Sequence, residues 1–193
     1  MLVGVGSAAL AAFPDAEDSS DVNVNVEIAA QGALTMTVDG DSSTLTEDGS
    51  TDDFRQFTGV LPDVTVTDDR DAVPDGVYWY VVGQAGDFLG NDGQDPITAD
   101  HLGWAPAMVT EGDGEVFEGE AVGTVIDGGD IEGDPVGLVG GEDVLQMTLD
   151  SAEAKAANGS WTANADLILQ TETDVAPGSY TSVLTLSLFE EEY

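Results

Sequence analysis

Apolar and polar residues alternate with a period of two through most of this sequence, and no other feature restricts its fold as strongly. The segment VNVNVEI places Val22, Val24, Val26 and Ile28 on one face, with polar residues on the other. The same alternation recurs at 34–38, 64–68, 144–149, 161–169 and 182–188. Because successive side chains of a β-strand point to opposite faces, this period predicts strands that each have one buried face.

The alternation also predicts which side chains share a face. The sets are Leu145, Met147 and Leu149; Trp161, Ala163, Ala165, Leu167 and Leu169; and Leu184, Leu186 and Leu188, which we assign to the core. The run GVYWYVVG is apolar on both faces, which predicts a central strand that is covered on both sides or lined by aromatic rings. Tyr78 and Tyr80 lie opposite Trp79 in this run, so one of the two sets must face away from the core.

Acidic, glycine-rich segments separate the runs, and only residues 151–159 have a helix-forming composition, for one or two turns. We therefore predict an all-β fold, a single antiparallel β-sandwich of the immunoglobulin-like or jelly-roll-like Greek-key kind with long acidic loops. Residues 1–21 form an apolar arm and 22–193 the sandwich domain. The segment ending at Tyr180 is typical either of a tyrosine corner, with the hydroxyl bonded to upstream backbone, or of an ordinary strand start.

Carboxylates dominate the charge of the chain. Asp and Glu total 39 against 3 Lys and Arg, for a formal net charge of -36. Nucleic acids and anionic membrane surfaces are therefore excluded as partners, since binding would bring like charges together. Two explanations stay open: solubility in high salt, as in a halophile, or a surface loaded with divalent cations. No cysteine is present, which excludes disulfides and thiolate metal sites.

The N-terminal segment from Leu2 to Phe13 is apolar and uncharged, and it is too short to span a bilayer. It resembles the apolar part of a secretory signal, with an A-x-A-like site at Ala9–Ala11, but it lacks a basic start. A retained arm would pack on its own domain or insert into a neighbouring subunit. The side chains that would make that contact are Leu2, Val3, Val5, Leu10 and Phe13, followed by Val22, Val24, Val26 and Ile28.

Two acidic loops are candidate calcium sites, because clustered oxygen ligands on a flexible loop suit Ca²⁺. The first contains Asp87, Asn91, Asp92 and Asp95, and the second contains Asp127, Asp130, Glu132 and Asp134. Neither has the spacing of an EF-hand. The alternative, which the overall acidity favours, is that both are solvated loops without a metal. We therefore expect no cofactor, with Ca²⁺ as the one exception.

Residues suited to catalysis at neutral pH are few. His101, beside Asp100, is the single histidine, and no serine or cysteine occupies the context of a nucleophile. With 39 acids, pairs of carboxylates arise by chance and carry no signal for glycoside hydrolysis. We therefore predict a protein that is not an enzyme.

Exposed aromatic rings and one sequon offer two further candidate sites. Tyr78 and Tyr80 could stack on sugar rings, although core packing is the expected role of Trp79, Trp104 and Trp161. The sequence Asn158-Gly159-Ser160 is an N-glycosylation sequon, which has meaning only in a secreted protein.

Several segments in order resemble the WxL-like surface domains of Gram-positive bacteria, over about residues 32–188. The matched positions are Val64, Val66, Asp68, Arg70 and Trp79, then Ile97, Ala99, Leu102, Trp104 and Pro106, together with GALTMTV and the closing hairpin. The resemblance implies a secreted, non-catalytic protein that associates with the cell wall or forms surface complexes. Leu186 stands where the terminal motif of that family has tryptophan. This difference argues against direct peptidoglycan binding and favours an assembly role.

The first forty residues are similar to the entry of the TasA/camelysin group, through LAAFPD, the 22–28 strand and GALTMTV. This similarity implies extracellular fibres in which an N-terminal strand is lent to the next subunit. We therefore predict a non-catalytic, extracellular subunit of a surface filament or assembly, which binds copies of itself by strand donation. The alternatives are a monomeric module that binds cell-wall or S-layer glycan, and a decoration or fibre protein of a virus particle.

Overall fold

The structure, a computed structural model, describes residues 32–110, 114–128 and 136–193. These residues confirm the all-β prediction, since their helices are a 3₁₀ turn at Ala99–His101 and a single α-helix, α1 (Ser151–Ala157). The strands are β1 (Leu34–Val38), β2 (Thr46–Glu47), β3 (Phe54–Val60), β4 (Val64–Asp68), β5 (Val77–Ala85), β6 (Leu89–Gly90), β7 (Leu102–Met108), β8 (Val116–Glu118), β9 (Asp143–Thr148), β10 (Ser160–Glu172), β11 (Tyr180–Thr181) and β12 (Leu184–Glu192).

The first sheet, which we call sheet A, is organised around the long central strand β10. Strands β3 and β4 lie end to end along one edge of β10, and β7 pairs with the other edge. Strands β2 and β1 extend the sheet beyond β3 and β4. Pro62 separates β3 from β4, because proline has no N–H to give to the ladder.

The second sheet, sheet B, has the strand order β12–β5–β9–β8, and all of its pairs are antiparallel. Strand β5 therefore lies inside the sheet, as its doubly apolar sequence predicts. Trp79 of β5 faces the core, whereas Tyr78 and Tyr80 face outward and are half-buried. Strands β6 and β11 form a separate two-stranded ribbon.

The two sheets pack face to face around three buried tryptophans. Trp161 of sheet A and Trp79 of sheet B have ring centroids 5.6 Å apart, and Trp104 is buried further along the core, against Gly83 of β5. The five residues of β10 that alternate from Trp161 to Leu169 are all buried, which confirms that prediction. Gly83 is required opposite Trp104, because a Cβ there would lie 2.6 Å from the indole ring.

The prediction that Leu145, Met147 and Leu149 share a face is wrong. Leu145 is fully buried, whereas Met147 is half-buried on the outer face and Leu149 is 63% exposed. The pairing of β5 with β9 shifts register here, since Val82 pairs with Val144 whereas Val81 pairs with Gln146. This β-bulge places an extra residue in β9 and moves the side chains that follow to the opposite face.

The closing segment forms a tyrosine corner, the first of the two alternatives for Tyr180. The Tyr180 hydroxyl donates to the backbone oxygen of Ala176 at 2.7 Å, which fixes the turn before β12. The short helix is also confirmed, and its N-cap Asp150 accepts from the backbone N–H of Glu153 at 2.9 Å. Strands β3 and β7 were not predicted from alternation.

Candidate interaction sites

The C-terminal strand β12 forms one lateral edge of sheet B. It pairs with β5 along its whole length, and no other described strand pairs with its second edge. Leu184, Leu186 and Leu188 point toward the core as predicted, but each is only half-buried. The core is therefore incompletely covered at this edge, and an edge of this kind can accept another strand.

A partly buried ion-pair cluster fastens β12 to sheet A. The Arg70 guanidinium donates to both oxygens of Asp68, at 2.8 and 2.6 Å, and to both oxygens of Glu190 in β12, at 2.8 and 2.7 Å. The side chain of Asp68 is completely inaccessible to solvent. Burial alone would raise the pKa of the Asp68 carboxyl, but the hydrogen bonds from Arg70 outweigh burial and hold that pKa below its usual range.

The first described residues of the chain, Gly32 and Ala33, lie beside this cluster. Gly32 lies against the backbone of Asp69 and Arg70, and the backbone N–H of Ala33 donates to the Asp69 carboxylate at 2.5 Å. The three residues 29–31 separate Gly32 from the alternating segment 22–28.

All three cationic side chains of the protein make internal contacts. Arg55 forms an exposed pair with Glu47 at 2.9 Å, and Arg70 binds the two carboxylates of the cluster. The Lys155 ammonium donates to the backbone oxygen of Asp68. Two of the three cations thus converge on one residue, and a partner of this protein meets a surface dominated by carboxylates.

Four aromatic rings stack in a ladder on the outer face of sheet B. Tyr78 stacks on Tyr193 and on Tyr80, with centroids 6.0 and 5.9 Å apart, and Tyr80 stacks in turn on Phe189 at 5.4 Å. The Tyr78 and Tyr80 hydroxyls both donate to Glu191 at 2.8 Å. These bonds raise the pKa of both tyrosines and lower that of the Glu191 carboxyl.

The ladder bears on the proposed sugar platform at Tyr78 and Tyr80. Stacking on a sugar needs a free ring face, but each of these rings already lies between two others, and both hydroxyls have a partner. The geometry therefore gives the two tyrosines a role in fastening β12 to β5.

Comparison with models of known protein families finds no match for this chain, and no curated protein matches it in sequence. The resemblances to WxL-like domains and to the TasA/camelysin group therefore remain predictions. The residues that carry the first resemblance do have clear structural roles. Asp68 and Arg70 form the buried ion pair, and Trp79 and Trp104 lie in the core.

The first candidate calcium loop has its polar groups directed to separate partners. Asp87 accepts from the backbone N–H of Ala99 at 3.0 Å, while Asn91 accepts from the Thr181 hydroxyl at 3.4 Å. The backbone N–H of Asp92 donates to the side chain of Gln94. Asp95 instead lines a surface pocket of about 330 Å³.

In the second candidate loop, Asp127 accepts from the Thr124 hydroxyl at 3.2 Å, whereas Asp130, Glu132 and Asp134 lie outside the described residues. Among the residues that the structure covers, no three carboxylates or imidazoles come together in a group that could hold a metal ion. Calcium binding remains a prediction for both loops.

His101 lies at the pocket that Asp95 lines, between two carboxylates. Its Nδ1 is 3.0 Å from Asp100 and its Nε2 is 3.3 Å from Glu172. Burial raises the pKa of Asp100, but hydrogen bonds from Thr98 and His101 outweigh it, and that pKa is lowered. The imidazole thus joins the 3₁₀ turn to the end of β10.

The sequon and the predicted donor residues differ in whether the structure describes them. Asn158 of the sequon is exposed in the turn between α1 and β10. The donor residues Leu2, Val3, Val5, Leu10, Phe13, Val22, Val24, Val26 and Ile28 all lie outside the described residues. Within the described ranges, no helix is both long and apolar enough to cross a bilayer.

Proposed function

We propose that this protein is a non-catalytic, extracellular structural subunit of a surface filament or assembly. The N-terminal alternating segment, residues 22–28, of one copy adds as a strand to the free edge of β12 in the next copy. The observation that carries this proposal is the open edge of β12, where three inward-pointing leucines are half-buried. Because the donor and acceptor surfaces differ, such contacts propagate from copy to copy.

The acceptor edge suits a strand in both length and chemistry. Strand β12 has nine residues, and its leucines alternate over Leu184, Leu186 and Leu188. An added strand would pair its backbone with the free edge and would place alternate side chains over the exposed parts of these leucines. Val22, Val24, Val26 and Ile28 have the matching period and are apolar.

Main-chain pairing also suits the charge of the protein. Subunits with a net charge of -36 repel each other, and the three cations are engaged within the subunit. Backbone hydrogen bonds do not depend on side-chain charge, so strand addition requires only that the repulsion is screened. Assembly is therefore expected to increase with salt concentration, in keeping with a halophilic setting.

The test compares two full-length variants that add the same number of negative charges. Val24→Asp/Val26→Asp alters the apolar face of the donor, and Asn23→Asp/Asn25→Asp alters its polar face. In molar sodium chloride we expect filaments by negative-stain microscopy for the wild type and the second variant, and none for the first. Equal loss in both variants would show that added charge, and not the apolar face, prevents assembly. Filaments in a chain that lacks residues 1–28 would refute strand donation outright.

A cell-surface role is tested separately by fractionation of the source cells. Accessibility of the intact cell-bound protein to an added protease supports the proposal. Recovery from the cytoplasm, with full protection until lysis, contradicts an extracellular location whatever the mode of assembly.

A further inference from the structure

The outer face of sheet B carries a continuous apolar row that crosses all four strands. In the register of the sheet, Phe189 lies opposite Tyr80, Tyr80 opposite Met147, and Met147 opposite Phe117. Phe189 is 46% exposed and Phe117 is 41% exposed. We call these four residues the apolar row. Tyr193, which is 75% exposed, extends the aromatic surface at one end.

The strand positions around the apolar row carry almost no charge, in contrast to the rest of the molecule. The outward side chains beside the row are Val82, Gln84, Val144, Thr185 and Ser187. Within these four strands, Glu191 is the one carboxylate on the outer face, and it accepts hydrogen bonds from Tyr78 and Tyr80. In a chain with 39 acidic residues, a face of this size without free carboxylates is a specific feature of the sequence.

We infer that the apolar row is the contact surface for a second copy of this chain, which docks the same face in a two-fold symmetric dimer. The net charge of the chain is our argument for which partner occupies this surface. Because the copies carry -36 each, they can approach closely only where both present an uncharged surface. An apolar surface is best covered by another apolar surface, and in a two-fold contact the row covers itself.

The outer face of sheet A does not offer an equivalent surface. Its strands present hydroxyl groups, with Thr65 bonded to Thr162 at 2.8 Å and Thr67 bonded to Ser160 at 3.1 Å. Docking sheet B of one copy on sheet A of another would therefore bury aromatic rings against polar groups. The dimer contact is also separate from the β12 edge, so this inference does not depend on strand donation.

Sedimentation equilibrium of the full-length chain in molar sodium chloride tests the dimer. It is measured for the wild type and for the Val24→Asp/Val26→Asp variant, so that filament growth does not interfere. We expect a reversible dimer in both, and one that weakens as salt is removed, because screening of the repulsion is lost. Chains that remain monomeric across the accessible concentrations would overturn the inference.

Matched variants locate the contact. Phe117→Glu/Phe189→Glu adds two charges to the apolar row and should weaken the dimer by about thirtyfold or more, as loss of central aromatic contacts does at interfaces. Thr35→Glu/Thr37→Glu adds the same two charges to exposed positions of sheet A and should leave the dimer unchanged. Equal weakening by both variants would overturn the inference. Circular dichroism verifies that each variant is folded.

A single introduced thiol provides a direct readout, because the chain contains no cysteine. Met147→Cys lies in the apolar row, and we expect mild oxidation to link it into a disulfide dimer, while Thr35→Cys remains monomeric. If the row is instead covered by residues 1–31 of the same copy, only a chain that lacks them dimerises. That result would refute a second copy as the occupant in the intact protein.

Discussion

Replacing Arg70 by methionine tests the account of how the edge strand is held. The Arg70 side chain links Asp68 at the end of β4 to Glu190 of β12, through four hydrogen bonds of 2.6 to 2.8 Å. Methionine keeps most of the apolar volume of the arginine stem but provides no donor. The substitution therefore leaves the Asp68 carboxylate without access to solvent and without the donors of Arg70, while the Lys155 ammonium stays on the Asp68 backbone oxygen.

The expected loss in the free energy of unfolding is about 3 kcal/mol at pH 7. Breaking a buried ion pair on one side costs about 3–5 kcal/mol, and the lower value applies because Arg70 retains 14% exposure and Asp68 can take up a proton. The whole stability of a domain is about 5–15 kcal/mol, so the change is readily measured. Removing both partners, as in Asp68→Asn/Arg70→Met, should restore part of the loss because no charge remains buried.

The effect also depends on pH in a defined direction. The folded pKa of Asp68 lies below its unfolded value, so its contribution to stability is complete above the unfolded pKa, about 3.9, and is lost as the pH falls through the folded pKa. The difference between wild type and Arg70→Met should therefore shrink in acid. Urea titrations of the two proteins at pH 7 and in acid, at constant high salt, measure this difference in the free energy of unfolding. The control Arg55→Met removes an exposed pair and should change stability far less. A loss below about 1 kcal/mol, or one that does not depend on pH, would refute the reasoning.

Three further predictions concern the core. The β-bulge implies that Leu145→Ala costs about 2–5 kcal/mol whereas Met147→Ala costs much less, which thermal unfolding of the two variants compares directly. Gly83→Ala forces a Cβ against the Trp104 ring and should cost about 1–3 kcal/mol, with a changed near-ultraviolet circular dichroism spectrum. Burial, with nearby Glu142, raises the pKa of Asp143, which disfavours the folded state once the carboxylate ionises. Asp143→Asn should therefore stabilise the protein at pH 7 and not in acid, as denaturant titrations would show; destabilisation at pH 7 would contradict this.

Local alternation predicted five of the twelve described strands and missed others whose pairing or composition hides the pattern. Strands β1, β4, β9, β10 and β12 follow from their own residues, because apolar and polar residues alternate along each of them. Strand β7 contains glycine and proline and pairs with only one described strand over most of its length, so its sequence shows no clean period. The β-bulge in β9 has no local signal, since the shift is fixed by pairing with β5.

The candidate sites also divide into features that local sequence indicates and features that depend on contacts between distant residues. The opposite directions of Trp79 and of Tyr78 and Tyr80 follow from their order in the strand, and the local segment offered the tyrosine corner as one of two alternatives. The contacts of Arg70 with Glu190 and the alignment of Phe117 with Phe189 join residues far apart in the chain. Sequence reasoning missed both.

The sequence by itself determined the fold class, the apolar faces of several strands and the acidic surface, because these depend on period and composition. Only the tertiary structure decided which face of sheet B carries almost no charge and which edge is open. The open edge of β12 and the apolar row exist because four strands come into register through hydrogen bonds between distant segments. An alternating period shows that a strand has one apolar and one polar face. The order of strands in the sheet decides which residues lie beside each face.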